Sequence, residues 1–437
     1  MNKMSTVEIG NLLGAEVLNT GYVKGVNVDT RLVKEDDLFV CLVGERVDGH
    51  DFAQEAIDNG AKALLVSRRL DLDIPQILVS DTLEALFSFA RIYRKSLDME
   101  VIAITGSNGK TSTKDMLLSV CSNVAPTVAT FENQNTAIGS CLTLFKCDSK
   151  TRYGIFEMGL DAPKEIDAMV NLVYPTSAIL TSLDQAHMDN FEDDYEVLGK
   201  EKFSIFNNIK DKSKCFYQGD VAIYRKLASD EKSFGFNEDN DYVITDVEVQ
   251  SDKTSFKLNQ RDYAINLLGQ HQASNAAGVI SLLRSLGFND DIINKGLEDI
   301  KLTAMRTEIY KYKGATILFD AYKSSPKSLL AILDLFGQYT STQKRYAVLA
   351  DMYMLGKGTE AHHQEALKKA LEQDIEVIYL LGDEFEKAMH HFNDKRLKHF
   401  KDKEALDKEL QALFKEGNFI LFKGSRYYAL ETLMKED

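Results

Sequence analysis

The stretch from Val101 to Ser112 constrains the fold more than any other part of the chain. Val101 to Thr105 is an apolar run rich in β-branched residues, the pattern of a buried strand. It runs directly into Gly106-Ser107-Asn108-Gly109-Lys110-Thr111-Ser112, and a helical stripe of Met116, Leu117, Val120 and Cys121 follows. Glycines at 106 and 109 permit a tight backbone turn that aims N–H groups at phosphate oxygens. The positive end of the following helix points at the same place. Lys110 is then set to reach β- and γ-phosphates, and the Thr111 hydroxyl to ligate Mg²⁺. Ile104 stands where the general phosphate-loop pattern has a glycine, so a bare strand-to-helix turn with an incidental Lys-Thr is the plain alternative. Strand, loop and helix all agree in order, which favours a nucleoside triphosphate. A strand feeding a helix this way belongs to a largely parallel α/β sheet.

The chain has 437 residues, enough for about three domains at roughly 150 residues each. Short apolar runs at 26–29, 38–43 and 63–66 and a helical run at 52–59 predict a small α/β module, followed by a helix over 83–93. Further strands are predicted at 154–158 and 178–181, with a helix over 272–286. A last rhythm places strands at 315–320, 345–349, 377–381 and 419–422 between helices that start near Ser328, Thr359, Glu384 and Lys403. Strands alternating with helices of this length mean βαβ units. The architecture read from this is three α/β domains in series.

Lys and Arg number 52 against 67 Asp and Glu, a net charge of −15, which opposes nucleic acid and anionic membranes. An anionic ligand must therefore be held by a local cluster of donors. No run reaches the length of a membrane span, and the first twenty residues lack the pattern of a secretory signal. Five cysteines without a CxxC pair argue against a disulfide framework or a zinc ribbon, and a cytoplasmic location is the expectation.

Beyond the loop come Asn133-Gln134-Asn135-Thr136, Glu157-Met158-Gly159, Ala186-His187, Gly269 to Asn275, and Met305 to Glu308. Asp320 to Pro326, Val348 to Met352 and Lys423 to Arg426 complete the series. With the loop, whose two glycines are separated by two residues, these motifs resemble the Mur ligase family in order and approximate spacing. The similarity points to the branch that adds D-alanyl-D-alanine to UDP-N-acetylmuramoyl-tripeptide. Val28 to Arg31, Asp37 to Val40 and Asp48 to His50 resemble that branch's UDP-sugar-binding domain. The resemblance spans essentially the whole chain. It implies a UDP-sugar substrate-binding domain at 1–98, a central phosphate-loop ATP-binding domain at 99–312, and a Rossmann-like domain at 313–437 that binds the incoming amine.

The activity so implied is an ATP-dependent peptide ligase of peptidoglycan synthesis. A carboxylate is a poor acyl donor, so ATP converts it to an acyl phosphate that an amine then attacks. Two anions must meet, and cations are needed to offset their repulsion. By resemblance, Gly106, Ser107, Asn108, Gly109, Lys110, Thr111 and Ser112 hold the phosphates, Asn275 meets the adenine, and Arg306 stabilises the γ-phosphate. Thr111 and Glu157 serve one Mg²⁺, while His187 and Lys202, the latter as a carbamylated lysine, serve a second. Lys110, His187, Lys202 and Arg306 form the catalytic set. Asp320 faces the nucleotide. Asn133, Asn135 and Thr136 meet the muramoyl-peptide, Thr30 and Arg31 the uridine diphosphate, and Tyr322 the substrate side of the third domain. Each has a plain alternative: Asn133, Asn135 and Asn275 as turn or cap residues, His187 as a loop histidine, Lys202 and Arg31 as solvated charges.

The expected partners are small molecules, UDP-N-acetylmuramoyl-tripeptide and D-alanyl-D-alanine, with no nucleic acid, no stable membrane insertion and a monomeric chain. Lys323 stands where the family usually has asparagine, Met354 where it usually has glutamate, and Ser204 where it commonly has an acidic or amide residue. A Mur-type ligase acting on a different amino acid or dipeptide is therefore one alternative. A non-catalytic nucleotide-binding module is another.

Overall fold

The computed structural model describes residues 1–185, 188–191, 193–250, 252–300, 303, 307–339 and 343–434. His187 and Arg306 lie outside the described residues. Among these residues three large sheets follow one another along the chain. The first has five strands in the order Glu16–Leu18, Gln76–Leu78, Ala63–Val66, Asp37–Val40 and Gly25–Asn27, parallel except at the Glu16–Leu18 edge. The run predicted as one helix over 52–59 is a 3₁₀ turn, Gly49–Phe52, leading into the helix Ala53–Asp58. The break comes from Asp48, whose carboxylate accepts the His50 N–H at 2.9 Å and caps the turn.

The central sheet has nine strands. Glu100–Thr105 lies between Ser177–Leu180 and Tyr153–Glu157, parallel to both. Successive side chains of this strand face opposite ways, as strand geometry requires. Val101 and Ala103 enter one core with Phe156 and Leu180, while Ile102 and Ile104 enter another with Leu117, Ile179 and Ile280. Beyond Glu100–Thr105 the chain first forms Thr127–Ala129 and Tyr153–Glu157 on one side, then Ser177–Leu180 on the other. Such a reversal opens a crevice at the carboxyl ends of the strands, and Thr105 and Glu157 both stand there. The far side of the sheet carries an antiparallel extension, Tyr242–Val249, Thr254–Leu258 and Arg261–Ile265, which the sequence reading did not anticipate. Its turn at Asn259 and Gln260 uses positive φ at both residues, so it lacks the glycine that marks a tight hairpin.

The third sheet has six strands in the order Glu308–Tyr312, Ala315–Asp320, Asn418–Lys423, Lys344–Ala350, Val377–Leu381 and Leu397–Phe400. Glu308–Tyr312 pairs antiparallel with Ala315–Asp320 from Glu308↔Phe319 to Tyr312↔Ala315. A division at 312/313 therefore cuts this hairpin, and the third sheet begins at Glu308. Ile317 and Phe319 face one core of this sheet and Leu318 the other. Among the described residues no helix is long and apolar enough to cross a membrane.

Candidate active site

The carboxyl ends of the central strands and those of the third sheet enclose a cavity of about 510 Å³. Its floor is the loop Gly106 to Ser112. Gly106 has φ 149° and Gly109 φ 83°, and a Cβ at either would strike the Thr181 hydroxyl or the Asn275 carboxamide respectively. Glycine is required at both for conformation and for space. The helix Lys110–Ser122 starts directly at Gly109, so its free N–H groups open into the cavity.

Lys110 Nζ donates to the carbonyls of Gly106 at 2.6 Å and Ser107 at 3.3 Å, which arches the side chain back over the loop. The Thr111 hydroxyl donates to Glu157 Oε2 at 2.8 Å, and Asn135 Nδ2 donates to Glu157 Oε1 at 3.1 Å. Glu157 is 2% exposed, and among the described residues its side-chain partners are neutral donors. A buried carboxylate without a cation is costly. A hydroxyl and a carboxylate are also the hard oxygen donors that Mg²⁺ takes beside phosphate and water. These residues fit a magnesium ion.

Lys202, on the helix Tyr195–Phe203, is buried in the cavity wall. Burial holds its ammonium well below the usual lysine pKa, and the charges of Lys110 and Lys323 act in the same direction. Asp161 and Glu201 oppose the shift. Burial and the neighbouring lysines thus make loss of the proton easier here than on an exposed lysine.

The opposite wall comes from the third sheet. Asp320 accepts from Lys423 Nζ at 2.8 Å, and the same ammonium donates to the Lys323 carbonyl at 2.6 Å. This buried lysine pins the segment that carries Tyr322 and Lys323 into the cavity. The Arg426 guanidinium lies 5.9 Å from the Tyr322 ring centre. Burial also pushes the pKa of His271, another wall residue, down from its usual value.

The cavity thus gathers Gly106 to Ser112, Asn133, Asn135, Glu157, Lys202, Asn275, Asp320 and Tyr322. Asn275 is held by its Nδ2 on Gln272 Oε1 at 3.1 Å. Three of the sequence candidates stand elsewhere. The Thr136 hydroxyl caps the helix Ala137–Leu144 by accepting the Gly139 N–H at 3.3 Å. Thr30 donates to Glu55 Oε1 at 2.6 Å, and Arg31 is an exposed ion pair with Asp29 in the first domain. The sequence reading also passed over Asp184, Lys327 and His271 as individual residues. Asp184 is buried where phosphate loop and third domain meet, and Lys327 Nζ reaches the Leu183 carbonyl at 2.8 Å.

A phosphate cradle facing a buried carboxylate, with lysines in the walls and a second domain over it, has the makings of an enzyme that uses a nucleoside triphosphate. The family comparisons agree with that class. A Mur ligase middle-domain model matches residues 104–283, a Mur ligase glutamate ligase domain model 305–426, and a Mur ligase family catalytic-domain model 22–94. The UDP-N-acetylmuramoyl-tripeptide–D-alanyl-D-alanine ligase of Bacillus subtilis is 32% identical over 452 residues, covering 100% of this chain and 98% of its own. The Escherichia coli enzyme of the same name is 31% identical, covering 100% and 97%. A crystal structure of MurF from Acinetobacter baumannii superposes with a TM-score of 0.89 at 26% identity, covering 99% of this chain and 98% of that one. MurF from Thermotoga maritima in complex with ADP gives 0.82 at 26% identity, covering 97% of each chain. The chain belongs to the Mur ligase family, whose members are ATP-dependent ligases that form amide bonds.

Proposed function

We propose that this enzyme joins D-alanyl-D-alanine to UDP-N-acetylmuramoyl-tripeptide at the expense of ATP, making the pentapeptide precursor of peptidoglycan in the cytoplasm. The full-length relatives carry the choice of substrates. The observation that carries the chemistry is the buried Thr111–Glu157 pair, which lines one cavity with the rest of the phosphate loop, Lys202 and Lys323.

A terminal carboxylate oxygen of the tripeptide attacks the γ-phosphorus of ATP, and the bond to the β-phosphate oxygen breaks to release ADP. The dipeptide amine then attacks the carbonyl carbon of the acyl phosphate, loses a proton, and expels inorganic phosphate. The loop N–H groups and Lys110 hold the phosphates and offset the charge that moves during transfer. Thr111 and Glu157 would hold a Mg²⁺ ion with ATP, and His187 with carbamylated Lys202 a second. Such ions, when bound, lessen the repulsion between carboxylate and phosphate. Burial of Lys202 near Lys110 and Lys323 supports the carbamate, because both lower its pKa and only the deprotonated amine adds CO₂. His187 and Arg306 keep the roles that family resemblance assigns them. Asn133 and Asn135, which line the cavity, are assigned to the muramoyl-peptide, Asn275 and Asp320 to the nucleotide, and Tyr322 to the amine side. Thr30 and Arg31 are assigned to the uridine diphosphate and Thr136 to the muramoyl-peptide through the helix it caps.

The enclosing third domain keeps water from the acyl phosphate. Purified enzyme should release ADP and phosphate only with both substrates present, and mass spectrometry should find the UDP-pentapeptide. Equal turnover with either substrate omitted would refute the assignment. Lys323 in the cavity wall favours one second reading, a ligase of this family that takes another amine. Exchange of the amine donor in the same assay separates the two.

A further inference from the structure

One buried carboxylate joins the phosphate loop to the third domain. Asp184 is 2% exposed and follows the strand Ser177–Leu180. Its Oδ1 accepts the Gln185 N–H at 2.8 Å. Its Oδ2 accepts from Asn108 Nδ2 at 2.9 Å, from the Ser325 hydroxyl at 2.7 Å and from the Lys327 N–H at 3.0 Å. The Asp184 backbone is tied to the loop as well, since the Ser107 hydroxyl donates to its carbonyl at 3.1 Å and accepts its N–H at 2.9 Å. Ser325 and Lys327 begin the helix Pro326–Gln338, whose first turn would otherwise leave N–H groups to water.

No lysine or arginine among the described residues pairs with this carboxylate within ion-pair distance. A buried anion so placed depends on several hydrogen-bond donors. Two of its four come from the third domain, and that helix end adds its own positive potential. If the domains part, Asp184 loses Ser325 and Lys327 together and keeps Asn108 and Gln185. Its negative charge then sits beside a loop built to bind phosphate, with no helix end to offset it. Asn108 lines the cavity, so loop shape, charge balance and domain closure meet at a single side chain.

We propose that Asp184 is a positioning residue that latches the third domain onto the phosphate loop, so that the Asp320–Lys423 wall faces the nucleotide only over a correctly shaped loop. It acts through Asn108 and Ser325 and touches no substrate. The inference rests on the ligase reading for its kinetic readout. Loss of the latch slows ligation and lets water reach the acyl phosphate, so phosphate release exceeds product formed.

The test compares wild type with D184A, D184N, S325A and the D184A/S325A double variant. It measures kcat, each KM, the ratio of phosphate to ligated product, and small-angle scattering with and without a non-hydrolysable ATP analogue. For D184A we expect kcat to fall on the order of 10- to 100-fold, with affinity for the ATP analogue changed less than about threefold. The phosphate-to-product ratio should rise above one, and the analogue-bound particle should be more extended than wild type. D184N retains neutral hydrogen bonds and should fall between. S325A should shift in the same direction, and the double variant should be no worse than D184A, because both deletions break one contact. Wild-type kcat, ratio and scattering in D184A and S325A would overturn the proposal, as would fully additive losses. If D184A does not fold, S325A, which deletes a single hydroxyl, decides on the same measurements. Failure of wild type to make product would refute the ligase reading, and scattering of wild type against S325A would still decide the latch.

Discussion

The first and third domains meet the central sheet through different chemistry. On the first side, Leu38, Val40, Leu86 and Phe89 share one continuous apolar core with Val101, Ala103 and Phe145 of the central domain. The Phe89 and Tyr93 rings lie 4.8 and 5.6 Å from that of Phe145. On the third side, buried Leu268 and partly buried Val249 are the central-domain residues that join the third domain's apolar core among the described residues. The other contacts described there are polar, with Asp184, Ser325 and Lys327 foremost. Apolar burial cannot be exchanged for water without losing its whole driving force, whereas hydrogen bonds can be remade with water at small net cost. The first junction is therefore built as a fixed joint, and the second is the one whose contacts water can replace.

The sharpest break in this comparison lies at the floor that both junctions serve. Lys110→Ala should lower kcat by on the order of a thousandfold or more, since it removes a cation preorganised for phosphoryl transfer, while circular dichroism shows an intact fold. Unchanged turnover would remove the phosphate loop from the mechanism. At the fixed joint, Phe89→Ala should destabilise the protein by about 3–5 kcal/mol through the cavity it leaves. Chemical denaturation should show the first and central domains losing stability together. Separate transitions, with only the first domain affected, would contradict a shared core.

Smaller effects sharpen the polar side. Lys323→Asn removes a wall cation from the pinned segment and should raise or lower the KM of the amine substrate by about three- to tenfold, with KM for ATP nearly constant. The reverse split would assign Lys323 to the nucleotide. A site remote from both junctions gives the smallest change. Asp290 is held below the usual carboxylate pKa, first by its hydrogen bond to Arg284 and further by Tyr263 and Arg261. A carboxyl with a lowered folded pKa contributes stability that is present above the unfolded value and lost as pH falls through the folded one. Asp290→Asn should therefore cost about 1 kcal/mol at neutral pH, and that gap should narrow as pH drops below roughly 4. A gap independent of pH would exclude charge as its source.

The same contrast explains what could be read in the sequence. The strand before Gly106 and the helix after Gly109 were legible because glycine, β-branching and helical periodicity are local signals. The strands of the third sheet were legible for the same reason. The antiparallel extension after Tyr242 was missed because its turn carries Asn259 and Gln260 in place of glycine. Asp184 was missed for a different reason: its partners Asn108 and Ser325 lie 76 and 141 residues away. No periodicity marks such a pairing. Thr136 shows the opposite case, where a residue quoted within a family motif has its hydroxyl engaged as a helix cap.

The central claim is that the cavity phosphorylates the substrate carboxylate before the amine attacks. Tripeptide labelled with ¹⁸O in its terminal carboxylate tests this directly when the released phosphate is analysed by mass spectrometry. One labelled oxygen in the phosphate for each amide bond formed is the predicted result. Unlabelled phosphate alongside ligated product would contradict an acyl phosphate and the account built on it.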